Sequence, residues 1–327
     1  MRAVLSRRQA HFSGPEMIPK HLRWTQNNEL AGSKSAREPV AEPVQVRNLT
    51  SEQIGVVYQP IVDAHSGELF AHEVLVRCTV PELQPPPKLF QQAIDERACG
   101  RLGRLIREKA VASLWGAPLF LNIHPDELNE RWLVRPDDPI GFCPQPVFLE
   151  ITETAAFQNH ALCDSVLREV CTRTGAQLVI DDFGAGHSNL TRLLDLDPAI
   201  VKLDLALVSD VQSSPKKRAV VRSVTALCHE LGAKVVAEGI ESELELSCLQ
   251  GLGVDYLQGY LLGRPANPAP AITWPASVPR MSVPKSGPAQ RTRAVTPERP
   301  RAAVPAAPAS AEVPKRAVPP PRPRALR

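Results

Sequence analysis

The chain has 327 residues, 43% of them hydrophobic, with a formal net charge of +3, which is enough apolar material for one large domain or two smaller ones. The small net charge hides a segregation: residues 51–267 carry 19 Lys/Arg against 29 Asp/Glu, whereas 1–50 carry eight against four and 268–327 eleven against two. The seven cysteines (78, 99, 143, 163, 171, 228 and 248) have no CxxC spacing and no uncharged apolar stretch reaches membrane-span length, so the chain reads as a cytoplasmic protein with reduced core thiols rather than one with disulfides, a zinc site or a membrane anchor.

Residues 1–50 are polar and aperiodic and are expected to be a mostly disordered arm that joins the fold near Leu49. From 51 the pattern changes. Val56–Val62 and Leu69–Val76 read as strands joined by a short turn at Gly67, an apparent hairpin. Helical periodicity is expected at about 88–99 and 101–115, where Leu102, Leu105 and Ile106 share a face. Further strands are expected at Leu119–Asn122, Val147–Ile151, Leu178–Asp181, Ile200–Leu203, Lys234–Glu238 and Asp255–Gln258, with helices near 160–173, 188–195, 216–231 and 242–251. Eight strands over about 210 residues, largely alternating with helices, fit a modified α/β (β/α)8 barrel of the TIM type with one antiparallel strand. Residues 268–327, with 15 prolines and few large apolar groups, are expected to be a disordered Pro/Ala/Arg-rich tail.

In such a barrel the site lies at the C-terminal ends of the strands. Those ends carry Glu73, Asn122, Glu150, Asp181 with Asp182, Lys202 with Asp204, Glu238 and Gln258. Any one of these is an ordinary loop anchor; seven strand ends sharing that explanation is much less plausible. Converging carboxylates without a cation repel one another, and oxygen donors without His or Cys suit Mg²⁺ or Mn²⁺. On a regular strand Asp181 and Asp182 point to opposite faces, but Gly184 and Gly186 free the backbone so that both can turn to one place. Two cations beside a lysine suit phosphodiester hydrolysis. On Ile200–Asp204 the period of two places Lys202 and Asp204 on one face.

Five segments, YQPIVDAHSGELFAHEVLVR, LFLNIHPDEL, VFLEITETAAF, LVIDDFGAGHSNLTRLLDLDPAIVKLD and VVAEGIESELELSCLQGLGVDYLQGYLLGRP, resemble in order the EAL domain of cyclic di-GMP phosphodiesterases. The resemblance implies a bacterial signalling hydrolase that cuts cyclic di-GMP to linear pGpG with two Mg²⁺ or Mn²⁺ ions. Glu73, Asn122, Glu150 and Asp181 would hold one ion, and Asp181, Asp182 and Glu238 the other. Lys202 would position the attacking water, with Gln258 assisting, and Arg77, with Gln59, would contact substrate. Glu153 would anchor the loop after Asp182, through which a homodimer would form; Asp204 and Glu241 would support the site. The signature reads Glu73-Val74-Leu75 where the family has alanine, an exchange that either overpacks the strand beside Glu73 or is absorbed by a smaller neighbour, and that bears on the rate more than on the fold. The competing reading is a catalytically silent module that binds cyclic di-GMP or a protein partner. The basic tail lacks interleaved aromatics, so no nucleic-acid polymer is expected as a partner.

Overall fold

The computed structural model describes residues 44–113, 116–130, 132–152, 160–185 and 191–280, with only the backbone of 160–164 and 191–192. Eight strands form one closed barrel in chain order: β1 (Ile54–Asp63), β2 (Leu69–Cys78), β3 (Leu119–Asn122), β4 (Val147–Thr152), β5 (Gln177–Phe183), β6 (Ile200–Leu203), β7 (Lys234–Ala237) and β8 (Tyr256–Leu257). β1 is antiparallel to both neighbours, β2 and β8, and all other pairs are parallel. The irregularity read from the short Gly67 turn is therefore real: a connection that short can only reverse the chain.

The helices are α1 (Pro86–Asp95), α2 (Cys99–Ser113), α3 (His160–Thr174), α4 (Thr191–Leu196), α5 (Leu205–Val208), α6 (Pro215–Glu230) and α7 (Glu243–Leu252). Between β3 and β4 the described residues contain two 3-10 turns, Pro125–Asn129 and Pro139–Phe142, in place of an α-helix. α1 stops before the expected 99 because Arg97 adopts a left-handed φ of 53°, which no α-helix accommodates.

Strand alternation sorts the core into two layers. Outward-facing residues such as Tyr58, Val74, Leu121, Leu149, Ile180, Val201, Val235 and Leu257 pack against the helices, while Ile61, Ala71, Phe120, Phe148, Val179, Ile200 and Val236, with Tyr256 beside them, fill the barrel interior. This inner floor seals the lower half of the barrel, so whatever stands one rung above it is held on an apolar base.

The packed unit runs past the expected boundaries at both ends. Val46 and Leu49 are buried, and the N–H groups of Val46 and Arg47 donate to the Glu96 carboxylate at 3.0 and 2.9 Å. Beyond 267, Trp274 and Ile272 pack on the main core, Val278 is buried within it, and the Trp274 indole N–H donates to the Val278 carbonyl at 3.0 Å. Residues 268–280 thus do not belong to an unstructured tail: composition obscured a few well-placed apolar groups. The rest of both flanks, 1–43 and 281–327, lies outside the described residues.

Candidate active site

Each floor residue has a polar residue one rung above it. Moving two positions along a strand returns to the same face, so Ala71 leads to Glu73, Phe120 to Asn122, Phe148 to Glu150, Val179 to Asp181, Ile200 to Lys202, Val236 to Glu238 and Tyr256 to Gln258; on antiparallel β1 the step runs backward, from Ile61 to Gln59. Around the barrel this makes one layer of four carboxylates, three amides and one ammonium.

Lys202 is the centre of that layer and is fully buried. Its Nζ lies 2.6 Å from Glu150, 2.6 Å from Glu238, 3.1 Å from Asp181 and 3.9 Å from Glu73. The remaining members fix Glu73: Asn122 Nδ2 donates to one carboxylate oxygen at 3.2 Å and Gln258 Nε2 to the other at 2.5 Å. Gln258 also donates to Gln59 Oε1, and Gln59 Nε2 to the Gly263 carbonyl, both at 3.3 Å, so an amide relay ties Glu73 to the segment after β8.

Burial pulls the Lys202 ammonium toward the neutral form, but Asp181, Glu150, Glu238 and Glu73 together outweigh it and hold its pKa well above that of an ordinary lysine. For Glu150 burial wins over the nearby ammonium, and Glu73 and Asp181 push the same way, so its pKa lies well above the usual carboxylate range. Glu238 is pushed up to about 8 by burial, against Lys202, with Asp181 and Glu73 adding to the rise. One ammonium cannot balance four carboxylates, and the layer favours any further positive charge.

Asp182 adds a fifth carboxylate. It adopts a left-handed φ of 57° and Gly184 one of 102°, and the pairing of β5 with β6 slips between Ile180 and Phe183. This bulge cancels the strand alternation: oxygens of Asp181, Asp182 and Glu238 lie within 4.8 Å of one another. The sequence expectation of two aspartates turned to one place holds, although the residue carrying the unusual conformation is Asp182 itself together with Gly184.

These residues fit a divalent cation. The donors are all oxygens, as hard cations require, and buried Oε1 and Oε2 of Glu150 and Oδ1 of Asp181 make no hydrogen bond. Oε1 of Glu150 and Oδ1 of Asp181 are instead ion-paired with the Lys202 ammonium, at 2.6 and 3.1 Å.

The other expected site residues fall away from this centre. Asp204 does not share a face with Lys202: β6 ends at Leu203, and Asp204 caps α5 by accepting the Ala206 N–H at 2.8 Å. Arg77 lies on the Glu73 face of β2, four residues further along, with its side chain exposed and donating to the Val76 carbonyl at 2.8 Å. Glu241 is exposed. The residue that holds its segment is Glu245, which sequence reading passed over. Its carboxylate accepts from the N–H groups of Asp210, Glu241 and Ser242 at 2.9, 3.1 and 3.0 Å, and the capping-box pattern Ser242-x-x-Glu245 was the available signal.

Comparison with known proteins adds an independent line. A family model described as the EAL domain matches residues 44–265. The chain belongs to the EAL domain family. Cyclic di-GMP phosphodiesterase RocR of Pseudomonas aeruginosa is 33% identical over 234 residues, covering 67% of this chain and 59% of RocR. Cyclic di-GMP phosphodiesterase PdeR of Escherichia coli is 31% identical over 241 residues, covering 69% of this chain and 35% of PdeR. Among solved structures, Klebsiella pneumoniae BlrP1 in complex with calcium and cyclic di-GMP superposes with a TM-score of 0.59 at 31% identity, covering 68% of this chain and 58% of that one. The phosphodiesterase PaMucR in complex with cyclic di-GMP gives 0.59 at 26%, covering 65% of this chain and 97% of that one. The chain thus spans less than two thirds of RocR, PdeR and BlrP1.

Within the EAL signature, Val74 faces the opposite way from Glu73. It is buried in the helix-facing core, paired with Tyr58 on β1 and Leu121 on β3. The expected crowding of Glu73 therefore does not arise directly, because adjacent strand residues point to opposite sides. Glu153 and the EAL loop residues 186–190 lie outside the described residues. Among the described residues no helix is long and apolar enough to cross a membrane.

Proposed function

We propose that this EAL domain hydrolyses cyclic di-GMP to linear pGpG, using two divalent cations, Mg²⁺ or Mn²⁺, held by Glu73, Asn122, Glu150, Asp181, Asp182 and Glu238. The observation that carries the reading is the buried ammonium of Lys202 amid Glu73, Glu150, Asp181 and Glu238, a layer whose excess negative charge is stable only with added cations or protons. Bound there, the cations would lower the pKa of a water molecule and neutralise charge developing on the phosphate.

The chain's own groups do the rest. Asn122 and Gln258 hold Glu73 in one orientation, so its carboxylate is preset and costs little reorganisation during reaction. Lys202, kept charged by its neighbours, donates hydrogen bonds to the attacking water and fixes its position, with Gln258 Oε1 as a further acceptor. Arg77, free of the carboxylates, contacts a substrate phosphate at the barrel mouth, and Gln59 supports the guanine-bearing ligand from β1. The apolar floor beneath excludes bulk water and strengthens each of these interactions. A homodimer through the loop after Asp182, anchored by Glu153, belongs to the same reading, as does a cytoplasmic setting.

The test is turnover of cyclic di-GMP by the purified chain with Mn²⁺ or Mg²⁺, compared with Asp181→Asn, which keeps size but removes a charge shared between cations. Abolished hydrolysis in a folded variant supports the reading, and near-normal turnover in that variant sinks it. Tight binding by the wild type without turnover in either ion would leave the silent-receptor alternative.

A further inference from the structure

We propose that Cys99, His124 and Asp126 form a second cation site, selective for a zinc-class ion, on the flank of the barrel and apart from the polar layer. Cys99 opens α2, and His124 and Asp126 follow β3. Spacing along the chain hid this grouping, since neither residue lies near a second cysteine. In the fold the Cys99 sulfur, a ring nitrogen of His124 and a carboxylate oxygen of Asp126 all lie within 4.8 Å of one another. Ligand bonds of about 2.0–2.3 Å close that gap with a small side-chain adjustment.

Thiolate and imidazole donors prefer zinc or cobalt, in contrast to the oxygen-only layer inside the barrel, so the two sites select different ions. The imidazole plane is already fixed, because the Phe90 ring stacks on it at 5.6 Å and 12°. His124 Nδ1 accepts the Asp126 N–H in a long bond of 3.2 Å, which also fixes the ring and leaves Nε2 for an ion. Beside the triad lies a cavity of about 380 Å³ lined by Ile94, Arg97, Cys99, Asp126, Asn129 and Glu130. It provides an entry path, lined in part by Glu130, whose Oε1 accepts the Gly100 N–H at 3.0 Å, and leaves the fourth position to a water molecule. Burial, with Asp126, Glu127 and Glu130 nearby, pushes the Cys99 thiol up to about 12; the same negative surroundings that retain its proton attract a cation, and on binding that proton passes to solvent.

The experiment is titration of the full chain with Co²⁺, followed by the sulfur-to-cobalt charge-transfer absorption that only a cysteine ligand produces. The expected result, with the barrel layer kept filled by excess Mg²⁺, is a band saturating near one equivalent, displaced by Zn²⁺ and absent in Cys99→Ser. His124→Gln and Asp126→Asn should each weaken cobalt affinity by about tenfold or more. Asp181→Asn should keep the band, since the barrel layer contains no sulfur. No band in the wild type, or a band that survives Cys99→Ser, overturns the proposal. Should Cys99→Ser lose its native circular dichroism, Asp126→Asn decides, and unchanged cobalt affinity there overturns it as well.

Discussion

Lys202 makes the energetic state of the site depend on what else carries positive charge. Replacing it with methionine keeps the volume but leaves Glu150 and Asp181 buried without their cation; breaking a buried ion pair in this way costs about 3–5 kcal/mol. Calorimetry on Lys202→Met in chelator should show a large fall in Tm, and added Mn²⁺ should restore a larger share of stability than it gives the wild type. Equal Mn²⁺ stabilisation of both proteins would contradict the charge argument. Val74→Ala separates packing from chemistry. Two methyl groups leave a filled core on the far side of β2, which costs about 1–2 kcal/mol, while Glu73 keeps its amide partners. Its melting temperature should fall by a few degrees with turnover, measured on the same preparation, within about twofold of wild type; a large gain in rate would mean that the alanine of the family signature does matter at Glu73. At this scale the sequence was informative wherever period two applied, since the polar residue of every strand from β2 to β8 could be picked from its apolar run. It failed for Asp204, because where a strand ends is set by capping of the next turn and not by alternation.

Among the elements, the least anticipated feature is on the α2 side of the barrel. Arg107, Glu127 and Asp138 are all buried, with Arg107 Nη1 2.6 Å from Glu127 and Nη2 2.9 Å from Asp138. Burial raises the Glu127 pKa against the opposing pull of Arg107. The network ties α2 to the two 3-10 turns that replace a helix between β3 and β4, and Gly103 is required there because a Cβ would fall 2.0 Å from Glu127 Oε2. Arg107→Met leaves two buried carboxylates unpaired and should destabilise by about 3–5 kcal/mol in chemical denaturation; a loss below about 1 kcal/mol would mean that the turns are held by other contacts. Sequence reading identified the apolar face of α2 but not this cluster, since its members are distant in the chain and nothing local distinguishes them from solvated charges. The bulge at Asp182 was legible only in outline: glycines signalled loosened backbone, and the register slip that brings Asp181, Asp182 and Glu238 together is a property of the β5–β6 pair.

At the scale of the molecule, the described residues form a barrel whose lower half is closed by an apolar floor and whose outside is completed by chain from beyond both expected boundaries. The tail segment packs where the β1–β2 turn leaves room, the Trp274 ring lying 2.7 Å from where a Gly67 Cβ would stand, and Thr273 donates to the Leu262 carbonyl at 2.8 Å. Truncation after Asn267 should therefore lower Tm relative to truncation after Arg280, by about 4–8 °C for a loss of roughly 2 kcal/mol; identical melting curves would mean that this segment adds nothing. Eight strands contribute to one polar layer, for which the proposed role is a cation-dependent hydrolytic centre with Lys202 positioning the water. The most direct test is the turnover number for cyclic di-GMP of the purified chain and of Lys202→Met, each with saturating Mn²⁺, alongside dinucleotide affinity. Such a centre gives turnover in the wild type that chelator abolishes, and in Lys202→Met a kcat lower by about 10² or more with affinity nearly unchanged. Wild-type kcat in Lys202→Met, or a wild type that binds the dinucleotide and never hydrolyses it, would contradict it.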